Sequence, residues 1–264
     1  MLMEVKNQIK ISLLSIKYAL MREMLNKATF IMNIIFMILN NSAFIIQWLI
    51  IYSIKGNVGG YELKQIFLLW GIAAGTYGFS HFFFKKSYDL ADIINTGKLD
   101  AFLVQPKNVL ISAITTDIET SALGDIIYGF IMLIVSGFNL SKLILFIILS
   151  ICGGLIATSV SIILSSLSFW FQKTDIVADR GTSLMTNFAT YPEGIFKGIA
   201  KVLLFTIIPV GFANYIPVRI LSSFDINLFI ITIGITILFI LFAFLIFYKG
   251  LKKYSSSNLM VARI

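Results

Sequence analysis

The sequence predicts an all-α integral membrane protein, on three observations. Its 264 residues are 58% apolar with a mean hydropathy of +0.91, whereas soluble domains use roughly 45–50% apolar residues. The apolar residues gather into runs close to the ~20 that an α-helix needs to cross a bilayer. Between the runs, Lys and Arg collect in alternate connections, the pattern that cytoplasmic loops impose. The length accommodates at most six or seven spans with short connections; six are expected, in a single transmembrane domain over residues 1–264 with no separate soluble domain of useful size.

The first element is residues 1–27. Its stretch EVKNQIKISLLSIKYALMREMLNK alternates charged and apolar positions at helical spacing, with Ile9, Leu13, Ile16 and Leu20 along one side. This predicts an amphipathic helix lying in the membrane interface. It has no uninterrupted apolar core, so no cleavable signal peptide is expected and the run that follows serves as an uncleaved anchor. The first span is expected over about Thr29 to Tyr52 and the second over about Ile66 to Phe84. A polar stretch, residues 85–107, separates the second span from the third. The third starts near Ser121, because a carboxylate at mid-bilayer is costly, and this leaves Asp117 and Glu119 on an interfacial extension. The fourth covers about Leu143 to Phe171. Residues 172–198 are too polar to cross alone. The fifth, about Ile199 to Ala213, is short and contains Pro209, with an outer re-entrant segment completing residues 199–225. The sixth, about Leu228 to Tyr248, precedes a polar tail.

Six spans put both termini on one side, and charge decides which. Of the 21 Lys and Arg residues, only Lys55, Lys64, Lys142 and Arg219 fall on the other side. Both termini, residues 85–107 and residues 172–198 are therefore expected in the cytoplasm. Trp48, Tyr52, Tyr61, Trp70, Trp170, Tyr215 and Tyr248 lie near span ends, where an aromatic belt belongs. The net charge of +8 thus reports orientation rather than affinity for nucleic acid.

The chain offers little for catalysis. It has no G-x-x-x-x-G-K-[ST] to cradle a nucleotide phosphate and no G-x-S-x-G elbow. His81 is the one histidine and Cys152 the one cysteine. His81 lacks ligand-spaced neighbours and reads as a packing or hydrogen-bonding residue; Cys152 reads as a small core residue. No cofactor or metal is expected in this chain. Two polar sets remain. Asp117, Glu119 and Asp125 either cap and orient a helix at the interface or line a proton or cation path. Asn33, Asn40 and Gln47 recur every seven residues, with Asn41 beside them; they line a substrate path or hydrogen-bond neighbouring helices. Small residues recur at four-residue spacing in the second span (Gly71 and Gly75, Ala74 and Gly78) and in the fourth (Gly153, Ala157, Ser161 and Ser165). Such ridges serve close helix packing, within the chain or between subunits.

Residues 85–107 have the makings of a folded element. Ser87 is placed to cap a short helix with Asp89 in its first turn, and Leu90, Ile93 and Ile94 form an apolar stripe. Gly97 follows where a left-handed residue ends a helix. Asp100 is placed to cap the next turn, and Pro106 to close it. From spacing alone, this unit is either an interfacial linker or a docking surface presenting Phe102 and Leu103.

The run INTGKLDAFLVQP, residues 94–106, resembles the I-x-x-G-x-L-D-x-x-L-x-x-P signature of bacterial ABC-2 type exporter permeases, where it follows the second span. A second block resembles the same group: Tyr191 and Pro192, then Ile208, Pro209, Phe212, Tyr215 and Pro217 in the pattern I-P-x-x-F-x-x-Y-x-P. The resemblance spans nearly the whole chain. It implies an exporter's transmembrane subunit with a cytoplasmic coupling helix, in the bacterial cytoplasmic membrane. Ser87, Asp89, Asp92, Gly97, Lys98, Leu99, Asp100, Phe102 and Pro106 would form the contact with a separate ATP-binding cassette subunit. Pro209, Phe212, Tyr215 and Pro217 would form an outer gate. It also implies two copies of that ATPase, which carries ATP and Mg, and a second permease, identical or related, in a complex surrounded by lipid. The expected substrate is an amphipathic drug, an antimicrobial peptide or a lipid-like compound. The alternatives are a proton-coupled secondary transporter using Asp117, Glu119 and Asp125, or a non-transporting immunity or scaffold protein.

Overall fold

A computed structural model describes residues 2–171 and 174–255. Lys173 and Arg263, both used in the charge count, lie outside the described residues. The helices are α1 (Leu2–Glu23), α2 (Lys27–Ile54), α3 (Leu63–Phe84), α4 (Leu90–Asn95), α5 (Asp100–Leu103), α6 (Val109–Ile114), α7 (Ala122–Gly137), α8 (Leu140–Ser166), α9 (Asp175–Ala189), α10 (Ile199–Thr206), α11 (Ile216–Ser222) and α12 (Ile226–Leu251). Among the described residues there is no named strand, only an isolated bridge between Val58 and Tyr61.

Short polar side chains set the helix starts. Asn26, Asn108, Asn139 and Asp225 each accept a backbone N–H from the first turn of α2, α6, α8 and α12, satisfying donors that a helix leaves unpaired. At α3 the Gln65 side chain reaches back to the Glu62 N–H at 2.9 Å. Among the described residues, four stretches are long and apolar enough to cross a membrane: Lys27–Ile54, Leu63–Asn95, Leu140–Phe169 and Ile226–Leu251. The 16 residues of α7 extend about 24 Å, short of a typical hydrocarbon core.

α3 is the centre of the bundle. Its small-residue face receives α7 and α8: Gly71 lies against Gly129 and Met132, Gly75 against Ser150 and Phe146, and Gly78 against Ala122 and Ile126. On α8, Gly153 and Gly154 meet Thr76 and Phe79. These ridges therefore pack helices of one chain, as close backbone approach requires where lipid supplies no hydrophobic drive. α2 and α12 lie at the periphery with most of their apolar surface outward. Cys152 is buried in α8.

Two sequence readings need correction. The fifth span is not continuous. α10 has eight residues, about 12 Å, and the chain then bends by 76° into Gly211–Ser222 through a π-helical turn, Gly211–Tyr215, that leads into α11. Lys201 and Arg219, assigned to opposite sides, both pair with the buried carboxylate of Glu193. Nor do residues 174–198, the described part of the polar stretch 172–198, stay at one end. Ser168 and Thr174 hydrogen-bond across the turn between α8 and α9. After α9, Gly194 lies against Gly59 in the α2–α3 turn and Tyr191 meets the edge of Trp48. α9 thus runs from one end of the bundle to the other.

Candidate functional site

Two regions concentrate the chain's polar chemistry. The first is the end of the bundle built from residues 85–120. Leu90, Ile93, Ile94 and Leu99 are buried together with Leu110, Ala113 and Ile114, with Ile162 of α8, and with Ala243 and Phe247 of α12. The Ser87 carbonyl accepts a hydrogen bond from Ser161 of α8 at 2.8 Å. Gly97 has φ +75°, the left-handed conformation that favours glycine after a helix end.

Two capping expectations fail here. Ser87 is buried ahead of α4, and Asp89, the residue next to α4, makes no capping bond; it pairs instead with Lys86 at 3.0 Å. Asp100 is the first residue of α5 rather than its cap. Its Oδ1 accepts from the Tyr254 hydroxyl at 2.8 Å, which ties the segment to the chain after α12. Burial, reinforced by that carboxylate, pushes the Tyr254 phenol above its usual range, so it remains a donor. Asp92 pairs with Lys98 at 2.9 Å on the surface. Phe102 is half-buried; Leu103, Val104 and Pro106 are exposed.

α1 covers this end. Gln8 donates to Ser112 and accepts from the Asn108 N–H, while Ile16 and Ala19 bury against Ile118, Phe82 and Phe83. Ile9 and Leu13, expected on the same apolar side, are exposed. Arg22 and Lys86 share Asp117, at 2.5 and 3.5 Å, and Lys85 pairs with Glu119 at 2.8 Å. Asp117 and Glu119 are thus joined to cations where α1 meets the bundle.

The second region is a groove of about 800 Å³ between α2, α3 and α9. It runs along α2 from Met37 to Ile51, about 21 Å at helical rise. Asn40, Asn41 and Gln47 line it, so three of the four α2 amides share this wall; Asn33 lies outside it. Aromatic rings form much of the rest. Phe44 stacks on Trp70 with centroids 5.6 Å apart, and Trp48 meets Tyr191 at 6.1 Å. The Trp70 indole N–H is buried with no hydrogen-bond partner. Asp125, in the first turn of α7, also faces the groove and accepts from the Asn41 amide at 2.6 Å. His81 lines it too, donating through Nδ1 to the Tyr77 carbonyl at 2.9 Å and stacking on Tyr88 at 4.1 Å. Thr186 and Asn187 of α9, with Thr190 just past its end, close the far wall. Sequence reasoning missed this wall because α9 looked too polar to enter the bundle.

The expected outer-gate residues sit at the bend beyond α10. Pro209 interrupts the helix, and Phe212 packs edge-on to Phe205 at 5.6 Å. Tyr215 donates its hydroxyl to the Phe188 carbonyl of α9 at 2.8 Å, and Pro217 is buried in α11.

The sequence profile of ABC-2 family transporter proteins matches residues 35–258. No curated protein and no solved structure matches the chain. The profile takes in the groove, the segment after α3 and the bent region before α12. The chain belongs to the ABC-2 family of transporter proteins, as a multi-pass membrane permease that serves transport rather than catalysis.

Proposed function

We propose that this permease is the transmembrane subunit of an ATP-driven exporter in the bacterial cytoplasmic membrane, and that residues 85–107 couple it to a separate ATP-binding cassette subunit. In this reading α2, α3, α8 and α12 cross the bilayer as long helices, and the shorter α7 and α9, of 16 and 15 residues, cross together with the turns that flank them. Both termini and residues 85–120 are cytoplasmic, and residues 191–225 form the outer gate. Lys197 and Lys201 join Lys55, Lys64, Lys142 and Arg219 outside, which leaves most of the 21 basic residues within or at the cytoplasmic side. The groove is the substrate's path, for an amphipathic drug, peptide or lipid-like compound. Two ATPase copies, which carry ATP and Mg, and a second permease, identical or related, complete the machine.

One observation carries the coupling assignment: the segment's apolar face is buried on both α8 and α12, while Leu103, Val104 and Pro106 stay exposed for a partner. A push on the exposed turn would be delivered to two long helices at once, which is how ATP binding elsewhere can bias one conformation. The ion pairs of Asp117 and Glu119 favour an anchoring role for these carboxylates over the proton path of a secondary transporter.

The test is co-expression with the ATP-binding subunit, followed by copurification and transport measurements. Gly97→Val forces a branched side chain into a left-handed position, and Asp100→Lys sets a cation in place of the acceptor of Tyr254. Each is expected to lower ATP-dependent export by about fivefold or more with normal membrane insertion. Export that matches wild type in both variants would remove the coupling role. Export that survives loss of the ATPase's phosphate-binding lysine would remove the ATP-driven reading.

A further inference from the structure

We propose that the groove between α2, α3 and α9 selects an amphipathic organic cation, an aromatic or alkyl body bearing a positive charge; this rests on reading the groove as the transport path. Three properties of its lining converge on that chemistry.

The wall is aromatic. Phe44, stacked on buried Trp70, and Tyr191, packed on buried Trp48, are each about half exposed, and offer apolar surface for a hydrophobic body and π faces that attract a cation. The volume, about 800 Å³, falls in the range of pockets that hold drug-sized molecules.

The charge is negative and unbalanced. Lys85, Glu119 and Asp125 are the Lys, Arg, Asp and Glu side chains of the lining, and Lys85 is engaged by Glu119 at 2.8 Å. Asp125 accepts from the neutral Asn41 amide, and no Lys or Arg among the described residues forms an ion pair with it. His81 commits its Nδ1 proton to the Tyr77 carbonyl. A cation would be attracted to the Asp125 carboxylate, whereas an anion would meet like charge in a site only partly open to water.

The remaining polar groups are neutral. Asn40 and Gln47 line the groove on one side and Thr186 and Asn187 on the other, all four exposed. They can orient a ligand through hydrogen bonds without opposing its charge.

The test uses the full chain in its ATPase complex, in lipid nanodiscs, with two probes of nearly the same shape and opposite charge. These are tetraphenylphosphonium and tetraphenylborate. Wild type is expected to bind tetraphenylphosphonium saturably and tetraphenylborate only by partition into lipid. Asp125→Asn is expected to weaken tetraphenylphosphonium by about tenfold, and Phe44→Leu by about threefold. Should Asp125→Asn fail to yield folded complex, Asn40→Lys places a positive charge on the exposed part of the lining and is expected to invert the preference. Saturable tetraphenylborate binding as tight as that of tetraphenylphosphonium would overturn the proposal. So would unchanged tetraphenylphosphonium affinity in folded Asp125→Asn or in Asn40→Lys. If neither probe binds while the complex still exports with ATP, the cation assignment fails alone. If the probes behave as expected but export persists after loss of the ATPase's phosphate-binding lysine, the exporter reading fails and the groove's selectivity stands.

Discussion

Tyr254 and Asp100 show how one hydrogen bond can join distant parts of the chain. The phenol donates to Asp100 across a sequence separation of 154 residues, and a bond to a charged acceptor contributes about 1.5–3 kcal/mol. Tyr254→Phe keeps the ring and its edge-on contact with Phe169 but deletes the donor. Its expected effect is a lower thermal midpoint and reduced ATP-dependent export, with normal insertion; nanodisc melting curves and vesicle transport check both. An unchanged midpoint would mean that the chain after α12 does not hold Asp100. Local chemistry was legible in the sequence at Gly97, where the residue type and its place after a short apolar stripe gave the left-handed position. The Tyr254 contact was not legible, because nothing near Asp100 indicates which part of the chain will return to it. The capping roles assigned to Ser87 and Asp100 failed for the same reason: tertiary partners on α8 and beyond α12 decided where these residues went.

Among the elements, α3 and α7 pack through glycines on both helices, and the glycine-rich ridge on α3 was readable from its four-residue spacing. What the ridge faces was not. A Cβ on Gly129 would crowd the Gly71 carbonyl at 2.9 Å and the Gly75 nitrogen at 3.2 Å, backbone atoms that cannot turn aside. Gly129→Val is expected to destabilise the bundle by about 1–3 kcal/mol. Gly234→Val in α12, where nothing lies within 4 Å of an added Cβ, should melt as wild type does. Equal midpoints for the two variants would show that α3 and α7 can separate at little cost. α9 illustrates the opposite limit of sequence reading. Hydropathy averages over all faces of a helix, and α9 mixes Asp175, Asp179, Arg180, Thr186 and Asn187 with Ala178, Met185 and Ala189. The buried set packs inward, while Thr186 and Asn187 face the groove. A helix that packs on one side and lines a groove on another does not need the uniform apolar surface that lipid demands.

At the scale of the whole molecule, α9 decides the topology. If α9 crosses, the chain from Tyr191 to Phe224 lies at the same end as the α2–α3 turn, as the contact of Gly194 with Gly59 and the shared pairing of Lys201 and Arg219 with Glu193 support. The bent stretch of α10 and α11 then dips into that face instead of traversing the bilayer, and α12 makes the last crossing. Cysteine scanning separates this arrangement from one in which α10 and α11 together form the fifth span. Cys152 is the chain's one cysteine, so Cys152→Ser provides a clean background. Single cysteines at Lys55, Lys201, Lys98 and Lys253 can then be labelled with a membrane-impermeant maleimide on intact cells and on inverted vesicles. Lys55→Cys and Lys201→Cys are expected to react on cells, and Lys98→Cys and Lys253→Cys on inverted vesicles. Labelling of Lys201→Cys together with Lys98→Cys would return α9 to the cytoplasmic face. That result would also remove the groove's far wall from the membrane, and with it the path proposed for the substrate.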